Sequence, residues 1–166
     1  GAELVLAGQS ILEDVQCLVL NSPSNVIFEG IKGKLNSHSS SWTYLQKELP
    51  YQKFQLGNYL LNKFFGKHIP EDSRAQIDVS KIASPLLLLG SDVDEIWNAS
   101  SAIDDIISHY KGESILYKKY HETGHMLMIA YQPNHRYRKD WRLLMKESVD
   151  SWFATINFFD THLKNL

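Results

Sequence analysis

The run Pro85-Leu86-Leu87-Leu88-Leu89, closed by Gly90, constrains the fold of this chain more than any other segment. It is too short for an ordinary helix and is punctuated at both ends, so it reads as a buried strand. Pro85 opens that strand, because it lacks the amide a sheet ladder needs. A similar run, Gln16–Leu20, ends in the turn signal Asn21-Ser22-Pro23-Ser24. A third segment, Ser114–Tyr120, alternates Ile115, Tyr117 and Lys119 with Leu116, Lys118 and Tyr120, the pattern of a strand nearer a sheet edge.

Helical spacing fills the intervals. Leu4, Ala7, Ile11 and Val15 share one face over residues 2–15. Ile103, Ile106 and Ile107 oppose Asp104, Asp105 and His109 over residues 100–110, with Asn98 or Ser100 available as the cap. Val149, Trp152, Phe153, Ile156, Phe159 and Leu163 recur at three- and four-residue spacing over 147–166. Strand, helix, strand, helix predicts an α/β fold: a mostly parallel sheet flanked by helices, with right-handed crossovers.

With 166 residues the chain has the size of one domain, able to bury roughly 70 % of its unfolded surface. Its 43 % hydrophobic and 22 % charged residues, at a net charge of −2, argue against a disordered tail and against a nucleic-acid partner. The single Cys17 excludes an intrachain disulfide and a Cys-rich zinc site, and fits a reducing, cytoplasmic setting. No apolar stretch approaches the roughly 18 residues of a membrane span. Glu3, in an N-terminus without basic residues, argues against a secretory signal. No metal or cofactor is expected.

Residues 26–82 differ in texture: Asn, Ser, Gly and aromatics interleave, and Ser37–Ser41 is nearly a polar tract. A long, weakly periodic insertion inside a compact domain reads as a cap-like segment, with one helix over Leu56–Phe65.

In a parallel α/β sheet, chemistry sits beyond the carboxyl ends of the strands. The second strand runs into Gly90-Ser91-Asp92-Val93-Asp94, and the third into His121-Glu122-Thr123-Gly124-His125. An acid after one strand and a His after the next are the order that an α/β-hydrolase triad requires. An Asp in such a loop is more often a turn or cap residue, and a lone His more often structural; the matched positions of the pair shift the balance. Asp92 competes with Asp94, and His121 with His125; Asp94 and His125 are preferred. No nucleophile is assigned. Gly8-Gln9-Ser10-Ile11 imitates an elbow, but only about five residues separate Ser10 from the next strand, too few for the helix an elbow needs.

Several motifs now align with a family. Gly1-Ala2-Glu3-Leu4 resembles the end of Gly-x-Ser/Cys-x-Gly-Gly/Ala-Glu, and Asn21-Ser22-Pro23-Ser24 follows the next strand. Ser41-Trp42-Thr43-Tyr44 and Leu49-Pro50-Tyr51 lie in the insertion. Asp94-Glu95-Ile96-Trp97-Asn98-Ala99-Ser100 resembles Asp-Gln-x-Trp-x-Ser, and Tyr120-His121-Glu122-Thr123-Gly124-His125 resembles Tyr-Pro-x-x-Gly-His. Together these are similar to the C-terminal α/β-hydrolase region of the acyl-CoA thioesterase and bile-acid-CoA:amino-acid N-acyltransferase family, from Gly1 through the final helix.

The resemblance implies Asp94 as triad acid and His125 as base, with Asn21 and Ser22 near the substrate pocket; Trp42, Tyr44 and Trp97 are further substrate-binding candidates, as lining of an acyl pocket or as plain aromatic core. It implies a Ser or Cys nucleophile two residues before Gly1, so that earlier strands and a β-sandwich domain lie upstream. The partners it implies are a small-molecule acyl thioester and either the upstream half of the same protein or a dimer partner covering the edge of the first strand. Lys32, Lys34 and Arg74 are candidates for CoA phosphates, or plain solvated surface. His121 in place of Pro, Glu95 in place of Gln and the apolar Met126–Met128 bear on pocket shape and substrate. Two other readings stand beside the thioesterase: a hydrolase for an ester or peptide, and a non-catalytic interaction domain of the same shape. Lys164-Asn165-Leu166 has a slight likeness to a peroxisomal address.

Overall fold

The structure, a computed structural model, describes residues 1–12, 15–32, 35–53, 72–126 and 141–163. The chain forms two compact units, residues 1–24 with 79–166 and residues 25–78. The expected helix Leu56–Phe65 and the terminal Lys164-Asn165-Leu166 lie outside the described residues.

The first unit is a mixed α/β layer. Helix α1 (Ala2–Leu12) precedes β1 (Leu18–Asn21). In this unit β1 pairs in parallel with the next long strand, Leu18 opposite Leu86 and Asn21 opposite Leu89. That strand, numbered β6 after four short strands of the second unit, is Leu86–Ser91. Helix α2 (Ala99–His109) leads to β7 (Ile115–Tyr120), again parallel, Leu86 opposite Ile115 and Ser91 opposite Tyr120. The described sheet order is β1-β6-β7, with β6 in the centre and every one of its residues buried. Helix α3 (Trp141–Leu163) closes the unit.

Both faces of β6 are covered, which is why its sequence is an unbroken apolar run. One face presents Leu87 and Leu89, packed with Cys17, Tyr120 and Phe158 of α3. The other presents Leu86, Leu88 and Gly90. At Gly90 a Cβ would stand 2.6 Å from Ile103 Cδ1 and 3.4 Å from Ala99 Cβ, so the bare backbone lets α2 approach the sheet. Asn98 caps α2 by accepting the Ser101 amide at 3.0 Å, and Ala99, Ala102, Ile103 and Ile106 face inward.

Two helices bury a different stripe from the one their apolar spacing predicts. On α1, Glu3, Leu6, Ala7 and Gln9 are buried, whereas Leu4 and Ile11 are exposed. Gln9 turns inward because its amide has partners, donating to Ser84 Oγ at 3.0 Å and accepting the Val15 amide at 3.2 Å. On α3 the buried stripe is Leu144, Ser148, Ser151 and Phe158, whereas Trp152, Phe153, Ile156 and Leu163 are exposed. Small residues let a helix lie close to its neighbour. The Ser151 hydroxyl donates to the Ser148 carbonyl at 2.8 Å and Thr155 to the Ser151 carbonyl at 2.9 Å, which removes the cost of burying them.

The second unit contains two antiparallel hairpins, β2 (Glu29–Lys32) with β3 (Leu35–Ser40) and β4 (Thr43–Tyr44) with β5 (Lys47–Glu48). Isolated bridges join Val26 to Gln76 and Phe28 to Gln52. A single 3₁₀ turn, Ser73–Ala75, is capped by Asp72, whose carboxylate also accepts two hydrogen bonds from the Arg74 guanidinium.

Candidate active site

Because β1, β6 and β7 are parallel, the segments that follow them leave from one end of the sheet. After β6, the Asp92 amide donates to the Tyr120 carbonyl at 2.9 Å, and the chain turns through Val93 into Asp94. Asp94 Oδ1 accepts the amides of Ile96 at 2.8 Å and Trp97 at 3.1 Å, which folds the loop tightly and fixes the carboxylate. Its other oxygen, Oδ2, lies 2.9 Å from His125 Nδ1. The Asp94 side chain is 1 % exposed and that of His125 19 %.

The His125 ring is held on more than one side. Trp97 meets it edge to face, ring centres 4.3 Å apart at 81°, and Trp97 in turn donates Nε1–H to the Pro23 carbonyl at 3.2 Å. Glu95 Oε2 accepts the His125 amide at 3.0 Å. Ser22 Oγ donates to the His125 carbonyl at 2.7 Å, while the Ser22 amide donates to the Leu89 carbonyl at 2.7 Å. Ser22 adopts φ 46°, a left-handed conformation uncommon for a residue with a Cβ, and these two bonds hold it there. Gly124 leaves room beside His125: a Cβ there would stand 2.3 Å from Glu95 Oε2 and displace the carboxylate that binds the His125 amide.

The loop from β7 to His125 hangs on a carboxylate of α3. Glu147 accepts the amides of His121, Glu122 and Thr123 at 2.9, 3.0 and 2.8 Å, and the Thr123 hydroxyl at 3.1 Å. Burial pushes the Glu147 carboxyl up, but these four donors outweigh it and hold the group below the usual carboxylate range. Asp150, one turn on, accepts the Tyr120 hydroxyl at 2.9 Å and both of its oxygens take Lys118 Nζ. Burial, with Asp150 beside it, drives the Tyr120 hydroxyl far above its ordinary range, so it remains a donor at any working pH.

Each of the two candidate acids meets one of the two candidate histidines. His121 Nδ1 lies 2.8 Å from Asp92 Oδ2, but these side chains are 73 % and 40 % exposed. Exposed pairs contribute little, and of the two only Asp94 with His125 has a buried acid.

The structure brings Ser22, Asp94, Trp97 and His125 into one cluster, with Asn21 exposed at the end of β1 beside it. Trp42 and Tyr44 belong to the second unit, Trp42 half-buried and Tyr44 exposed on β4. Arg74, also there, is engaged by Asp72; Lys34 lies outside the described residues. Glu95 and Glu147 were not singled out as site residues by sequence reasoning, because neither a loop motif around Glu95 nor the helical spacing around Glu147 marks a carboxylate that receives backbone amides from a distant segment. Among the described residues no group of three or more His, Cys, Asp and Glu could hold a metal ion, and no helix is long and apolar enough to cross a membrane.

Residues 1–165 match the protein family described as BAAT / Acyl-CoA thioester hydrolase C terminal. No curated protein matches the chain.

Proposed function

The chain belongs to the BAAT / acyl-CoA thioester hydrolase C-terminal family, and from that premise we propose that it carries the acid and base of an α/β-hydrolase-type site acting on an acyl thioester. One observation carries the reading: a buried carboxylate on Nδ1 of a histidine, beyond the carboxyl ends of parallel strands. An ionised Asp94 only accepts, so it takes the Nδ1–H and leaves Nε2 with its lone pair as the base.

The chemistry is nucleophilic acyl transfer. A Ser or Cys supplied from outside these 166 residues gives its proton to His125 Nε2 as its oxygen or sulfur adds to the thioester carbonyl. The tetrahedral intermediate collapses, the C–S bond breaks, and the leaving thiolate takes the proton from the imidazolium. Water or an amine then adds to the acyl-enzyme, passing a proton to Nε2, which returns it to the departing nucleophile. Asp94 stabilises the imidazolium each time it forms. Trp97 supports this reading by packing on the ring, which keeps Nε2 aimed in one direction.

The test uses the full-length protein with decanoyl-CoA. His125→Ala is expected to lower kcat by about 10⁴-fold with KM little changed and the circular dichroism spectrum intact. Unchanged turnover in that variant would remove His125 from the mechanism. Wild-type turnover of the matched oxyester but not the thioester would redirect the substrate class, and turnover of neither would favour the non-catalytic reading.

A further inference from the structure

The base sits about five residues past the end of β7, in a loop without regular structure, so something other than a ladder must fix its place. Three successive amides of that loop, from His121, Glu122 and Thr123, converge on a single carboxylate, and a buried hydroxyl joins them. Thr123 is 1 % exposed and Glu147 half-buried, so the Thr123 end of this attachment is shielded from solvent while the His121 bond lies at the surface. Successive amides turned to one point form an anion-binding concavity, here filled by the protein's own Glu147.

We infer that Glu147 of α3 is a positioning residue for the His125 base. This rests on the acyl-transfer reading given above. A carboxylate is the one side chain able to accept from four donors at once. Oε1 takes the His121 amide, and Oε2 takes the Glu122 and Thr123 amides together with the Thr123 hydroxyl. Glutamine fills the same volume but has one acceptor oxygen and no charge: its NH₂ must face either the His121 amide or the Glu122 and Thr123 amides, which also donate, so the clamp is weakened without opening a cavity. The clamp ends two residues before His125, whose own amide and carbonyl are taken by Glu95 and Ser22. Releasing residues 121–123 leaves the backbone of His125 on those two bonds alone, so that the imidazole can shift relative to Asp94 without the loss of either group. Misplacement by about 1 Å costs on the order of 10²-fold in rate.

Asp150 provides the control that separates positioning from general stability. It lies on the same helix and ties α3 to β7 through Tyr120 and Lys118, while the amides of residues 121–123 go to Glu147 and not to it. The experiment compares Glu147→Gln, Asp150→Asn and Thr123→Val in the full-length protein. It reads kcat and KM on decanoyl-CoA, the thermal midpoint, and the proton NMR signal of His125 Nδ1–H.

Glu147→Gln is expected to lose about 10²-fold in kcat with KM within twofold, and to lose or shift the Nδ1–H signal. Asp150→Asn is expected to lower the thermal midpoint while keeping kcat and the signal. Thr123→Val, which removes one of four bonds, is expected to lose about fivefold in kcat. Retention of kcat and signal in Glu147→Gln overturns the inference, as does an equal kcat loss in Asp150→Asn. If Glu147→Gln does not fold, Thr123→Val decides, and an unchanged kcat there counts against it. If the wild type turns over no acyl-CoA, the functional reading fails, while the Nδ1–H signal still tests the positioning.

Discussion

Asp94 does two jobs with two oxygens, and each job belongs to one of the competing interpretations of an Asp in a loop. Oδ1 caps the turn by accepting the Ile96 and Trp97 amides and lies 3.2 Å from His125 Nδ1, while Oδ2, free of the turn, makes the closer approach to Nδ1 at 2.9 Å. The roles separate by substitution. Asn retains an Oδ1 acceptor for the turn but presents an NH₂ to Nδ1–H, which drives the imidazole to the wrong tautomer. Asp94→Asn should therefore keep most of its thermal stability and lose about 10⁴-fold in kcat. Asp94→Ala loses the cap as well and should be less stable than Asp94→Asn by about 1 kcal/mol. Denaturant titration of both variants beside decanoyl-CoA kinetics checks this; equal stability of the two would mean that the Oδ1 bonds contribute nothing. A sequence shows the residue type and its place after a strand, which is enough to nominate Asp94. It cannot show which oxygen goes where.

Regular elements were legible wherever apolar spacing coincided with the buried surface, and not where polar groups supplied their own partners. Strand β6 and helix α2 follow their patterns because Leu86–Leu89 and Ile103 with Ile106 are both apolar and inward. Helix α3 does not, since Ser148 and Ser151 are inside and Trp152 and Phe153 outside. Glu147 was equally hidden, because its partners His121 to Thr123 lie about two dozen residues away and no motif links them. The hairpins of the second unit were missed for a local reason. The β4–β5 turn is Leu45-Gln46, with φ 48° and 64°, where the favoured pair for two left-handed residues is Asn-Gly. Left-handed backbone costs an ordinary residue roughly 1–2 kcal/mol. Gln46→Gly should therefore raise stability against urea by about 1 kcal/mol, and Gln46→Pro, which cannot take that φ, should lower it. A loss of stability in Gln46→Gly would mean that the turn is not strained.

Acid sensitivity of the folded chain follows from the carboxylates that hold α3 to the end of the sheet. Burial raises Glu147, but the His121, Thr123 and Glu122 amides and the Thr123 hydroxyl bring it net below the ordinary 4.5. Burial likewise raises Asp150, but Lys118 and the Tyr120 hydroxyl bring it net below 3.8. A group lowered on folding binds its proton more readily in the unfolded chain, so stability rises with pH across the interval between its two values. The contribution of Glu147 is thus complete above its unfolded value of 4.5 and is withdrawn as pH falls through the lower folded value. Asp150 follows in a lower window, beginning at 3.8, with a smaller effect because it is more exposed to solvent. Urea midpoints of the wild type and Glu147→Gln should therefore run parallel from pH 7 to about pH 5, then converge as the wild type loses a term that the glutamine never had. Since the same bonds hold the loop of His125, that side chain should lose its register over the same acid range before the sheet itself unfolds. Amide exchange of residues 121–125 should then rise at a higher pH than that of β6. Midpoints that stay parallel through pH 3 would mean that the Glu147 carboxylate is not bound by these donors in solution.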